Sequence, residues 1–254
     1  MNKFCVILSI SIIAISCGGN KRQFNANVNF EQVKIEENSR KTGSDSSYNV
    51  SVIWNKPLEA PLYLNDSIMK YTKLLFASWF NVSDNRDFNA SVANHMEEYL
   101  KRVKTNAFRE YNAFDLHINP EEIYQNKQII SLAYSWNVYE GGAHGNYGKY
   151  CFVINKNSGN KISYNALIRK DKEQEFLQLA EQEFKTQFGI KANENLYELY
   201  TFEDDKFHLP DEFHFTPSGL VFYYNPYEIA PYSAGLIELL LPYNKIQDFV
   251  NYMD

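Results

Sequence analysis

Residues 213–243 read FHFTPSGLVFYYNPYEIAPYSAGLIELLLPY, and no other stretch restricts the fold as strongly. Two apolar runs, Leu220–Tyr224 and Leu236–Leu241, have the length of strands and are rich in branched and aromatic residues. Between them Pro226 and Pro231 interrupt the chain. Proline has no N–H to give to a sheet ladder, so neither run can extend through the connection. The pattern predicts a buried hairpin whose rigid loop carries Tyr227, Glu228 and Tyr232.

Period-two alternation recurs upstream. Val50, Val52 and Trp54 alternate with Asn49, Ser51 and Ile53, and Ile130, Leu132, Tyr134, Trp136 and Val138 alternate with small or polar residues. A first strand is expected around Val28–Ile35, followed by a charged, Ser-rich loop from Glu36 to Ser47. Helical spacing appears at Ile68, Tyr71, Leu75 and Trp79, with Asn65 or Asp66 as candidate caps, and again over about 90–111. A third helix, 171–188, places Phe176, Ala180, Phe184 and Phe188 at fourfold steps before Gly189. Strands alternating with helices, joined by short turns, predict an α+β fold: mostly antiparallel sheets with helices packed on one face, in two intimately packed subdomains.

The N-terminus has its own character. Lys3 precedes an apolar run from Phe4 to Ile15, which ends in Ser16-Cys17-Gly18. That run is shorter than the roughly 20 residues a bilayer span needs, and it has the length of a signal-peptide core. Ala14-Ile15-Ser16-Cys17 resembles a bacterial lipoprotein box, so Cys17 is the expected lipidation site. Residues 1–17 are then a lipoprotein signal peptide, and 18–44 a tether and first strand. The expected location is the bacterial cell envelope, outside the cytoplasm, with the membrane reached through the lipid anchor.

Composition narrows the partners. A net charge of −6 argues against nucleic acid, whose affinity comes from cations neutralising phosphates. Cys151 lies in an apolar run and reads as a small buried hydrophobe. With Cys5 and Cys17 in the leader, no disulfide framework or zinc pattern is present.

Catalytic motifs fail on order and spacing. Ser-Ile-Met-Lys at 67–70, Ser-Asp-Asn at 83–85 and Lys-Thr-Gly at 41–43 spell the pieces of a serine β-lactamase site. That chemistry needs Lys-Thr-Gly on a late strand, and here it comes first. His208, Asp211, Glu212 and His214 crowd together, but Pro210 breaks any helix that would align them; they read as an exposed loop running into a strand. No metal or cofactor is expected. The segment Glu140–Gly148 holds four of the chain's 11 glycines and precedes a strand rather than a helix, which suits a turn better than a phosphate cradle. Within it Glu140 and His144 are the side chains able to move a proton.

Tyr-Glu-Gly-Gly-Ala-His-Gly-Asn at 139–146, the run from Gly219 through Asn-Pro-Tyr-Glu-Ile-Ala-Pro-Tyr to Gly235, and Leu-Pro-Tyr at 241–243 resemble the RsiV/PdaC-type extracytoplasmic domain pair. The resemblance implies a PdaC-type α+β domain over 45–150 and a C-terminal RsiV-like α+β domain over 151–254. It also implies a binding role toward peptidoglycan or a wall-active protein such as lysozyme. No deacetylase domain and no sigma-binding segment is expected in this chain, so no catalytic residue carries over.

The leading expectation is a lipid-anchored, non-catalytic binding module whose contacts are Glu140, His144, Tyr227, Glu228 and Tyr232. An envelope hydrolase acting on glycan or peptide, with Glu228 or Glu140 as acid and His144 nearby, is the alternative. A third reading is an acidic scaffold or inhibitor of a basic wall-lytic enzyme. Replacement of Cys17 by Ala should release the protein from the membrane fraction into the soluble fraction, as read by immunoblotting of fractionated cells.

Overall fold

The structure, a computed structural model, describes residues 24–40, 47–80, 88–104, 113–191 and 194–253. The leader with Cys17, most of the tether, and the Lys-Thr-Gly and Ser-Asp-Asn strings lie outside the described residues. The fold is α+β, with two sheets.

The first sheet has six strands: β1 (Asn29–Arg40), β2 (Ser47–Leu58), β3 (Ala113–Pro120), β4 (Tyr124–Gln125), β5 (Ile129–Tyr139) and β6 (Asn146–Asn155). β1 and β2 pair antiparallel over twelve residues, from Asn29 opposite Leu58 to Arg40 opposite Ser47. The first strand therefore continues through the charged stretch after Ile35, because partner strand β2 satisfies its backbone there. β2 and β3 run parallel. Parallel neighbours need a long crossover, supplied here by α1 (Leu62–Ala77) and α2 (Phe88–Lys104). β5 is the hub, with β3 and β4 on one edge and β6 on the other, all antiparallel to it.

α1 begins three residues before the expected caps. Pro61, with ψ 142°, closes the extended segment, and its carbonyl accepts from the N–H groups of Leu64 and Asn65. The helix therefore starts without a side-chain cap, and Asn65 and Asp66 fall inside it. Its buried face, Leu64, Ile68, Leu75 and Phe76, packs on Val52, Trp54, Leu132 and Tyr134 in one core.

The second sheet comprises β7 (Phe213–Thr216), β8 (Gly219–Tyr224) and β9 (Ile237–Pro242), antiparallel and joined in sequence. α4 (Glu173–Gln187) covers one of its faces, with Phe176, Ala180 and Phe184 fully buried against Phe222, Leu239 and Leu241. Truncating a buried ring such as Phe184 typically costs about 3–5 kcal/mol. The short helices α3 (Tyr164–Leu167), α5 (Leu196–Leu199) and α6 (Tyr243–Ile246) close the ends of this core. The weakly patterned region 190–212 adds Ile190, Leu196, Phe202 and Phe207 to it, anchors without a common period.

The sheets meet through small residues. On β5, Ile130, Leu132 and Tyr134 face α1, while Ser131 and Ala133 point the other way and are equally buried. Ala133 and Cys151 pack on Val221 and Tyr223, and the Ser131 hydroxyl accepts from the Phe215 N–H at 2.9 Å. Both β5 and β8 are therefore covered on both faces, which their alternation alone did not reveal.

β6 is an edge strand of the first sheet, and an open edge is a row of unpaired polar groups. Side chains from the second sheet close this one. The Lys149 N–H donates to Asn225 Oδ1 at 2.7 Å and the Cys151 N–H to Glu212 Oε2 at 2.5 Å. Further along, the Ile162 N–H donates to the Val153 carbonyl at 2.7 Å. Glu212, expected in an exposed loop, thus lies against the sheet, and His214 is buried at 3% exposure with its Nε2 unpartnered among the described residues. Burial raises the Glu212 carboxyl to about 7, with Glu228 and Asp211 adding to the rise and Lys161 and the Cys151 N–H opposing it. Burial lowers His214 to about 4.

The sign for Glu212 follows from linkage. A carboxyl whose pKa is raised on folding stabilises the protein below its unfolded value, and that contribution is lost as pH rises through about 7. Glu212→Gln keeps an acceptor for the Cys151 N–H and removes the titration. Thermal melts should show the variant more stable than wild type at pH 8, on the order of 2 kcal/mol, with the difference shrinking toward pH 5.

Candidate functional site: the two hairpin ends

The β5–β6 turn and the β8–β9 loop come together at one end of the molecule, and Asn225 is the reason. Its Oδ1 accepts from the Lys149 N–H and its Nδ2 donates to the Lys149 carbonyl at 3.4 Å, so one carboxamide pairs with both backbone groups as a strand residue would. Gly148 makes room for it. A Cβ at that position would overlap Asn225 Oδ1 and stand 2.7 Å from the Trp136 ring. In the turn itself Gly141 and Gly142 adopt φ 93° and 91°, which side-chain-bearing residues avoid.

Above this link lies an aromatic cluster centred on Tyr232. The His144 ring stacks on it with centroids 4.3 Å apart and planes inclined by 27°. Tyr147 meets it edge-on at 5.5 Å and Tyr227 lies at 5.6 Å. The His144 imidazole comes from the Gly-rich turn and Tyr232 from the Pro-bounded loop, so the stack joins the two loops directly. His144 Nδ1 lies 2.7 Å from the Gly145 carbonyl, which can only accept, so the Nδ1–H donates to it.

Within this cluster Tyr227 faces solvent, 61% exposed. The Glu228 N–H donates to the Asn225 carbonyl at 3.1 Å, Pro226 occupies the second position of the turn, and Tyr227 takes φ 73° at the third. These are the marks of a type II turn, whose third position favours glycine. A tyrosine there costs about 1 kcal/mol of backbone strain.

The expected site residues divide into two groups. His144, Tyr227 and Tyr232 form one surface, and Glu228 adjoins it through a long contact from Asn225 Nδ2 to Oε1, 3.5 Å. Glu140 stands apart, on the rim of a neighbouring groove with Trp79 and Trp136. Glu140, His144 and Glu228 are all exposed, and none contacts another among the described residues. The buried carboxyl with a displaced pKa is Glu212, which is engaged by the Cys151 backbone. No group of three or more His, Cys, Asp or Glu residues is arranged to hold a metal ion among the described residues. Tyr147, Asn225 and Lys149 join the site without having been expected. Asn225 stood in the sequence as part of a turn signal, and nothing local marked its partner 76 residues away.

With this geometry in view, the comparisons with known proteins are specific about fold. A DUF3298-family protein from Bacteroides fragilis superposes with a TM-score of 0.70 at 18% identity, over 89% of this chain and 95% of its own. A DUF3298-family protein from Pseudomonas aeruginosa superposes at 0.65 and 17% identity, over 90% of this chain and 97% of its own. The fold is that of solved DUF3298-family proteins. The sequence model of that family, described as a protein of unknown function, matches residues 165–244. That span runs from α3 to the start of α6 and contains the Pro-bounded loop but not the Gly-rich turn. No curated protein matches the chain.

Two substitutions separate loop strain from loop anchoring. Tyr227→Gly should leave thermal stability unchanged or raise it by up to about 1 kcal/mol, because glycine accepts positive φ freely. Asn225→Ala leaves the buried Lys149 N–H without a partner and should destabilise by about 2 kcal/mol in chemical denaturation.

Proposed function

We propose that the protein is a lipid-anchored cell-envelope binding module that recognises peptidoglycan or a wall-active protein such as lysozyme, using the face formed by the two hairpin ends. The observation that carries this reading is the His144–Tyr232 stack, which fixes two loops as one surface. Rigid loops bearing aromatic rings are efficient contact surfaces, since few side-chain torsions are frozen on binding. Anchoring through Cys17 suits a module working close to a membrane. Among the described residues no helix is long and apolar enough to cross one.

Binding is favoured over the hydrolase alternative by the site's own geometry. General acid–base work needs a proton-transfer group within reach of a partner, and Glu140, His144 and Glu228 make no such pair. The acidic balance of the chain, −6 overall, adds attraction for a basic partner, which applies to the lysozyme version of the reading.

The test is retention of the chain from Gly18 onward on insoluble peptidoglycan and, separately, on immobilised lysozyme. Wild type should be retained on one of them, and the double substitution Tyr227→Ala and Tyr232→Ala should reduce retention by about tenfold, about 1.4 kcal/mol, with an unchanged melting temperature. Retention of the double variant at the wild-type level would remove the two-loop face from the account. Retention on lysozyme should weaken as salt is raised.

A further inference from the structure

We infer that the groove beside the Gly-rich turn is a saccharide subsite that takes an uncharged stretch of glycan. The inference rests on the binding-module reading and gives its ligand a chemical class. The groove encloses about 300 Å³ between the C-terminal end of α1, which supplies Ser78 and Trp79, and the ends of β5 and β6, which supply Trp136, Asn146 and Tyr150. Glu140 stands on its rim. That volume is at the lower end of small-ligand sites.

The two indoles are the core of the argument. Trp79 and Trp136 lie with centroids 5.3 Å apart and planes inclined by 57°, and both are only partly buried. The remaining tryptophan shows what a structural one looks like in this protein: Trp54 is 6% exposed and packs edge-on against Phe76 inside the helix-facing core. Among the described residues neither the Trp79 nor the Trp136 indole N–H has a hydrogen-bond partner. Both indoles therefore line the same cavity. A tryptophan in that position offers an apolar body and a polar handle at once.

The polar groups around them are of matching type. The exposed Glu140 carboxylate has no partner among the described residues and can accept from hydroxyl groups. Asn146 Oδ1 already accepts from the Tyr147 N–H at 3.0 Å, which leaves the amide NH₂ as a donor. A sugar ring has the complementary surface: C–H faces for the indoles and a perimeter of hydroxyl or acetamido groups for the donors and the carboxylate.

Charge decides between ligand classes. Lys149 is the cationic residue on the groove wall, but its ammonium is bound to Glu121 at 2.5 Å and lies 5.7 Å over the Tyr223 ring on the opposite side of β6. Among the described residues a phosphate or carboxylate ligand would find no unpaired cation on the groove wall and would face Glu140 instead. An uncharged glycan meets neither penalty.

The experiment titrates the full chain with a β-1,4-linked N-acetylglucosamine tetramer, followed by tryptophan fluorescence and by calorimetry. Saturable binding is expected, insensitive to added salt. Trp79→Leu and Trp136→Leu keep apolar volume at each position and should each weaken binding by about tenfold while the melting temperature holds. Glu140→Gln should weaken it by about threefold. Absence of saturable binding, or wild-type affinity in the Trp136→Leu variant, would overturn the subsite. So would displacement of the tetramer by oligolysine with strong salt dependence, which would assign the groove to a cationic peptide. If the tetramer fails to bind while the double substitution Tyr227→Ala and Tyr232→Ala still reduces retention on peptidoglycan or lysozyme, the groove falls and the two-loop face stands.

Discussion

The structure depends on how the outer edge of β6 is closed. A six-stranded sheet that ended there would present the N–H groups of Lys149 and Cys151 to solvent or to another chain. Asn225 and Glu212 accept those hydrogen bonds instead, and both belong to the three-stranded sheet or its immediate approach. The two sheets are thereby fixed against each other. The closure has a chemical consequence, because it places a carboxyl where burial raises it to about 7. It also has a geometric one: the Asn225 link carries the β8–β9 loop against the β5–β6 turn, and the His144–Tyr232 stack completes the contact.

That arrangement supports the proposal that the chain is a binding module. Among the described residues Glu140, His144 and Glu228 are isolated from one another, while the rings of His144, Tyr147, Tyr227 and Tyr232 are clustered. The perturbed carboxyl is committed to a backbone N–H. Rings held by two braced loops, next to a groove walled by indoles, form a surface suited to recognition with little rearrangement.

Much of the fold was legible because its strongest elements carry their period in their own residues. β5 alternates from Ile130 to Val138, α4 repeats Phe176, Ala180 and Phe184, and the closing hairpin is bounded by Pro226 and Pro231. Alternation identifies one buried face, but it does not report what covers the other. Ser131 and Ala133 are small because a second sheet lies on them, not because they face water. Region 190–212 hid core anchors for a related reason: Ile190, Leu196, Phe202 and Phe207 lie in short or irregular segments and have no common period. At the site, His144, Tyr227 and Tyr232 could be named from glycine and proline punctuation. Their mutual contact depends on pairings 61 and 76 residues apart in sequence, Cys151 with Glu212 and Lys149 with Asn225, which no local pattern encodes. The Trp79–Trp136 contact is of the same non-local kind.

The central claim is that second-sheet side chains close the β6 edge as firmly as a strand would. Amide hydrogen exchange resolved to single residues tests it directly. The Lys149 and Cys151 amides should exchange as slowly as the Phe152 amide of the same strand, in the regime that requires global unfolding. Exchange at Lys149 and Cys151 as fast as at a solvent-exposed edge would contradict the account, because the two loops would then have no common support.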